Sequence, residues 1–244
     1  MLTPLTRRGG RVLRALFAGL LLLRRPRPIH VRGRVLEGHI TWLPGAEPSG
    51  IAWVDEAPSV PVAVVARLSR SVGLPWLLPD VIGLALRIDA GDLPADIELA
   101  STGRGVPGRF MLAVQRSASR AWFGTLFPYR SSRGPVLLSA RQTSDGTLPA
   151  RGDALDAVLT RAGWGLRLYH ATPTGLWHPF ADVSLRMRAG ADDAANHGTS
   201  QDDAGLRFDS VRNALPGAGT YPWVRSLRQP SYRLVQGTDG VTPG

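Results

Sequence analysis

Of the five histidines in this 244-residue chain, two fall in the stretch PIHVRGRVLEGHITW, at His30 and His39. Imidazole exchanges a proton near neutral pH, so a histidine at the start of a predicted strand is a candidate general acid–base group. If the strand reaches back that far, side-chain alternation sets His30 with Leu36, Gly38, Ile40 and Trp42 on an apolar face; His39 falls with Glu37 and Thr41 on the other. The plainer reading of His30 is a strand-start histidine bonded to backbone. Arg67 follows the small and aliphatic run VAVVA. An arginine on a buried strand needs an anion, either a bound group or a carboxylate such as Asp80 or Glu98. Arg228 and Tyr232 stand four residues apart in VRSLRQPSYRL, with Pro230 between them. The histidines carry no local carboxylate spacing for a metal; Asp192 and Asp193 with His197 are the nearest cluster and lie in a polar loop. The chain has no Walker loop, strand-linked GxGxxG, HExxH or GxSxG elbow, which removes the commonest nucleotide and hydrolase readings.

The elements that must position these groups are mostly strands. Alternating or apolar runs bounded by Gly, Pro and Asp predict strands at Gly33–Trp42, Pro61–Ser69, Ile82–Asp89, Asp96–Thr102, Arg109–Arg116, Pro135–Gln142, Gly165–Ala171 and Phe180–Arg188. Eight short strands with such punctuation fit a mainly β domain, a closed antiparallel barrel or a sandwich, with a few flanking helices. GDALDAVLTRAG predicts a helix with Asp153 as a cap and Gly163 as its stop, and LRFDSVRNALPG a shorter one ended by Pro216. Residues 189–205 are small and polar and read as a loop or spacer.

The net charge of +10 belongs to one end. Nine of the 29 basic residues, all arginine, lie between Met1 and Arg34 with no acid among them, which leaves 20 against 19 acids in the rest. Residues 1–28 therefore form a basic arm, 29–236 one domain with a C-terminal helical segment, and 237–244 a frayed tail. The arm's apolar run, Ala15–Leu23, is too short to span a bilayer, which takes ~20 residues. It reads as a helix packed on the domain, as a helix on an anionic membrane surface, or as an export signal. No aromatic residues interleave with its arginines, so specific nucleic-acid binding is not expected. The expected location is cytoplasmic, with membrane association through the arm as an option. The lack of cysteine excludes disulfides and zinc–thiolate sites.

Three segments, in order, resemble the heme-dependent catalases. IHVRGRVLEGHI is similar to that family's VHAKGxxAxGxF, with His30, Gly33 and Gly38 at matching positions. PVAVVARLSRSVGLPWLLPDVIGLALRI is similar to PVxVRFSxVxGxxGSxDxxRDxRGFAxKF, matching at Arg67, Ser69, Gly73, Asp80, Gly83 and Ala85. LRFDSVRNALPGAG is similar to xxFSPxNxVPGIG with one insertion. The chain is far shorter than the family's usual members.

The resemblance implies a small catalase-like barrel that binds heme and acts on hydrogen peroxide or organic hydroperoxides. It makes His30 the group that moves a proton between the peroxide oxygens, and Arg67 the partner of a heme propionate. It makes Phe110 the ring that stacks on the heme, Tyr232 the axial ligand to iron, and Arg228 the cation that keeps that tyrosine deprotonated. The family's distal asparagine falls here near Ser101 or Thr102. In a second register Ser226 takes the ligand position and Pro222 the arginine's, leaving no axial ligand; His170 and His178 would be the substitutes. The chemistry as a whole requires an imidazole and a guanidinium on one side of the β-wall, and a hollow not already packed with leucine and valine. A barrel that kept the fold without the chemistry, serving as a ligand-binding or membrane-peripheral module, is the second reading. A phosphoester hydrolase, with arginines holding phosphate, is the third.

Overall fold

The computed structural model of the protein describes residues 33–70, 78–91, 93–150, 152–188, 206 and 208–224. The strands are β1 (Arg34–Trp42), β2 (Val62–Arg70), β3 (Ile82–Asp89), β4 (Pro94–Thr102), β5 (Trp122–Gly124), β6 (Tyr129–Ser131), β7 (Gly134–Gln142), β8 (Trp164–Ala171), β9 (His178–Met187) and β10 (Gly219–Thr220). Eight of them pair antiparallel in the order β7-β5-β4-β3-β2-β1-β9-β8, and β8 returns to β7, which closes the barrel. β6 and β10 form a small flap on β7.

Alternation decides what faces inward. On β2, Val64, Ala66 and Leu68 are buried and join Leu36 and Ile40 of β1, Leu84 and Leu86 of β3, and Ile97 and Leu99 of β4 in one apolar core. Across the barrel, Phe123 and Trp164 meet edge to face with centroids 6.0 Å apart, and both are fully buried. An eight-stranded barrel has an interior just wide enough for side chains to fill, and here they fill it. That filling overturns the expectation of a guest lodged inside the cylinder.

Two helices close the ends. α1 (Ala52–Asp55) brings Trp53 against Trp42 and Phe180, and the Trp42 indole donates to the Trp53 carbonyl at 3.2 Å. α2 (Gly152–Arg161) buries Leu155 and Leu159. Asp153 sits inside its first turn, where an acid suits the positive end of the helix. Gly163 ends it at φ +70°, with the amides of Ala162 and Gly163 both donating to the Val158 carbonyl.

Two predicted elements differ. Residues 109–116 are not a strand. Arg109 and Phe110 belong to a 3-10 turn, Gly108–Phe110, and the rest makes only isolated bridges, Leu112 to Thr102 and Gln115 to Asp80. The barrel's place there goes to β5, three residues that sequence periodicity did not mark. Residues 208–217 form turns instead of a helix: the Asp209 carboxylate accepts from the amides of Val211 and Arg212, and the Asn213 amide bonds the Asp209 carbonyl. The basic arm, residues 189–205 and the C-terminal tail lie outside the described residues.

Candidate functional site

The interior is full, and Arg67 projects from the outer wall with the parity opposite to the buried Val64, Ala66 and Leu68. Cross-strand register sorts the wall of β2, β3 and β4 into rows. One row is Arg67, Ala85 and Glu98. The next is Ser69, Gly83 and Ala100, continued by Gly124 on β5. A third is Val65, Arg87 and Asp96. The second row carries no side chain larger than serine over four strands, roughly 14 Å at the usual strand spacing. It makes a floor of small residues with Arg67 in the neighbouring row; Ser69 and Gly83 are half-buried, whereas Ala100 and Gly124 are already buried, and a Cβ on Gly124 would lie 2.8 Å from the Thr102 hydroxyl.

Two glycines of the motif stretch explain themselves here. A Cβ on Gly33 would lie 2.6 Å from Arg67 Nε, so its absence gives the guanidinium room beside the start of β1. A Cβ on Gly38 would run into the Ser184 carbonyl, so Gly38 lets β9 approach β1.

The third row is an electrostatic node. Arg87 donates through Nε and Nη2 to the two oxygens of Asp96, both at 2.8 Å, with Phe208 stacked on its guanidinium at 5.0 Å. The same carboxylate accepts from the Asp209 amide and the Asn213 side chain, each at 2.8 Å. Burial by itself would raise the Asp96 carboxyl, but Arg87 and these two donors together hold it below its ordinary range. The segment 208–213 is thus pinned across the wall, and Ser210 adds a 2.7 Å bond to Glu98. Sequence reading took Asn213 as part of a motif but did not find Asp96 as its partner.

The other predicted residues divide. Ser101 has the parity of the core side of β4. Its hydroxyl accepts from the Ile82 amide at 2.9 Å and donates to the Ala113 carbonyl at 2.6 Å, so it is engaged at both ends. Thr102 is on the wall side with the floor, and its hydroxyl donates to the Trp122 carbonyl at 3.3 Å. Phe110 is half-buried just past β4. Asp80, weighed as a partner for Arg67, is fully buried and has Arg70 at 3.5 Å. His170 is buried and donates from Nε2 to the Glu47 carbonyl at 2.8 Å, its ring stacked on His178 at 5.5 Å. Burial lowers its pKa below the ordinary imidazole value, which keeps it neutral. These contacts give the pair a packing role. His30, Arg228, Tyr232 and the Asp192–His197 cluster lie outside the described residues. Among the described residues no three metal-ligating side chains gather, and no helix is long and apolar enough to cross a membrane.

A second group lies further round the wall. Arg109 is 6% exposed and donates through Nη1 to the carbonyls of Thr172 and Gly175, both at 3.0 Å, while its guanidinium stacks 4.7 Å from the Trp177 ring. Burial pushes its pKa below the ordinary guanidinium value. Sequence reading missed it, because a lone arginine in GRFML resembles an outward strand residue.

This architecture is a catalase-like fold. The chain is similar to a fungal catalase crystal structure with a TM-score of 0.54 at 11% identity, over 93% of this chain and 62% of that one. It is similar to catalase A from Saccharomyces cerevisiae with a TM-score of 0.58 at 12% identity, over 88% of this chain and 63% of that one. The chain therefore spans about three-fifths of the length of these catalases, and at such identity the likeness is one of fold. No family model matches the chain, and no curated protein matches it by sequence.

Proposed function

We propose that this protein is a catalase-fold heme-binding oxidoreductase that acts on hydrogen peroxide or organic hydroperoxides, with the heme lying on the outer floor of β2–β5. The observation that carries the reading is the row Ser69, Gly83, Ala100 and Gly124 beside Arg67. A flat ring system needs a surface without protruding side chains, and its carboxylates need a cation at the edge; Ser69 and Gly83, half-buried beside the row of Arg67, meet both needs, while Ala100 and Gly124 are already covered. Heme, when bound, supplies the iron chemistry of peroxide cleavage. Within this reading the chain does the rest: Arg67 holds a propionate, Phe110 packs on the ring, Tyr232 is the axial ligand with Arg228 beside it, and His30 moves the proton between the peroxide oxygens. Thr102, on the floor's side of β4, offers the remaining lone pairs of its hydroxyl; Ser101 faces away.

The test is an absorption spectrum of the full chain purified from a heme-replete host, followed by hemin titration. A Soret band that copurifies, and that weakens at least tenfold in hemin affinity in Arg67→Ala, supports the reading. A colourless protein with no spectral change on titration overturns it. The second reading, a barrel without heme chemistry, is favoured by two observations: the hollow is packed with apolar side chains, and both candidate hydroxyls, Ser101 and Thr102, already bond backbone carbonyls. A protein that takes up no hemin would select it.

A further inference from the structure

We propose that the loops 103–111 and 172–177 form a docking site for an anionic membrane surface, beside the Thr102–Gly124 end of the floor. The two loops are clipped together. Arg109 bonds the carbonyls of Thr172 and Gly175, and the Trp177 indole donates to the Arg104 carbonyl at 2.9 Å. Val106 lies between the two arginines of one loop, and Leu176 between two bonded residues of the other. Both aliphatic side chains are turned to water, Val106 at 53% and Leu176 at 80% exposure.

Two arginines lie beside them. Arg104 and Arg141 are exposed and lie over the Trp122 ring at 5.3 and 5.9 Å. Among the described residues neither of these arginines, nor Arg109, has a carboxylate partner. Arg109 Nε and Trp122 Nε1 are buried with no hydrogen-bond partner, so the patch holds more donor capacity than its own chain satisfies. Exposed aliphatic tips beside the exposed Arg104 and Arg141 complement hydrocarbon beneath anionic headgroups.

The same residues argue against a single-stranded nucleic acid. Stacking a base requires a free aromatic face, but Trp122 is only 7% exposed beneath its arginines, and the Trp177 ring carries Arg109. What the patch exposes is aliphatic.

The chain has no cysteine, so a single introduced thiol reports on one place. Leu176→Cys in the full chain is labelled with an environment-sensitive fluorophore and mixed with vesicles of phosphatidylcholine containing about a third phosphatidylserine. Leu93→Cys, on the turn before β4 and so at the opposite end of that strand, is the control. The fluorophore at 176 should shift to the blue and be quenched by lipids brominated in the acyl chain, while that at 93 stays in water. The shift should vanish with pure phosphatidylcholine. Exchanging Arg104 and Arg141 for glutamine should weaken the response roughly fivefold for each charge lost. A fluorophore at 176 that remains in water while the protein sediments with vesicles overturns the proposal and leaves binding to the arm. No response to any vesicle also overturns it, as does a response to a single-stranded oligonucleotide in place of lipid.

Discussion

Replacing Asp96 with asparagine removes one charge at a fully buried position that ties three parts of the chain together. The carboxylate accepts four donors at 2.8 Å: two from Arg87, one from the Asp209 amide and one from Asn213. An amide of the same shape keeps one acceptor oxygen and turns an NH2 toward groups that are themselves donors. Hydrogen bonds to a charged group contribute about 1.5–3 kcal/mol each, and a stranded buried donor costs about 1–3 kcal/mol. The Arg87 side chain is 25% exposed and recovers part of its loss from water, so the sum is discounted to about 3 kcal/mol. In a domain of this size, that lowers Tm by roughly 6–12 °C. Thermal and urea unfolding, followed by circular dichroism, measure it. Asp182→Asn is the control: Arg167 grips Asp182 with the same two-pronged geometry at 2.7 and 2.8 Å, but that carboxylate is 41% exposed, and exposed pairs contribute about 0–1 kcal/mol. The pH dependence follows from the depressed Asp96 pKa. The stabilisation is present above the ordinary carboxylate range and is lost as pH falls through the lowered folded-state value; the asparagine variant lacks that loss. Equal costs for the two asparagine variants would refute the idea that Asp96 is a structural node.

Two further outcomes follow from the same geometry. His170 is held neutral by burial, so its folded-state pKa lies below the unfolded value; the unfolded chain binds the extra proton first, and stability should fall as pH drops below about 6.5. His170→Gln should flatten that slope in urea titrations run between pH 7 and pH 5. Gly38→Ala sets a methyl against the Ser184 carbonyl and should cost about 3 kcal/mol or more, read as a lowered urea midpoint, while Gly45→Ala, where space is open, should cost only the strain of its positive φ of 67°.

Strands such as VAVVARLS were legible because burial on one side writes a period of two into the chain, and α2 was legible from its apolar stripe and terminal glycine. β5 was not: Trp122, Phe123 and Gly124 are too few to display a period. GRFMLAV displays one and still is not a strand, because Arg109 is drawn into bonds with a loop some sixty residues away. The same limit governs the site. Gly33, Gly38 and Arg67 could be picked out by type, but the reasons for the glycines are a guanidinium from β2 and a carbonyl from β9, neither visible locally. The filled interior follows from strand number, since eight strands leave no hollow once Leu, Ile, Phe and Trp point inward.

The pairing of β1 with β9 sets an order of assembly. Leu36 lies opposite Met187, so the cylinder cannot close until some 150 further residues have left the ribosome. Until then β1 has β2 on one side and a bare row of amides and carbonyls on the other, an edge open to strands of other chains. Synthesis of this protein therefore passes through a long window in which its first strand is sticky, and the last barrel strand to be made is the one that seals it.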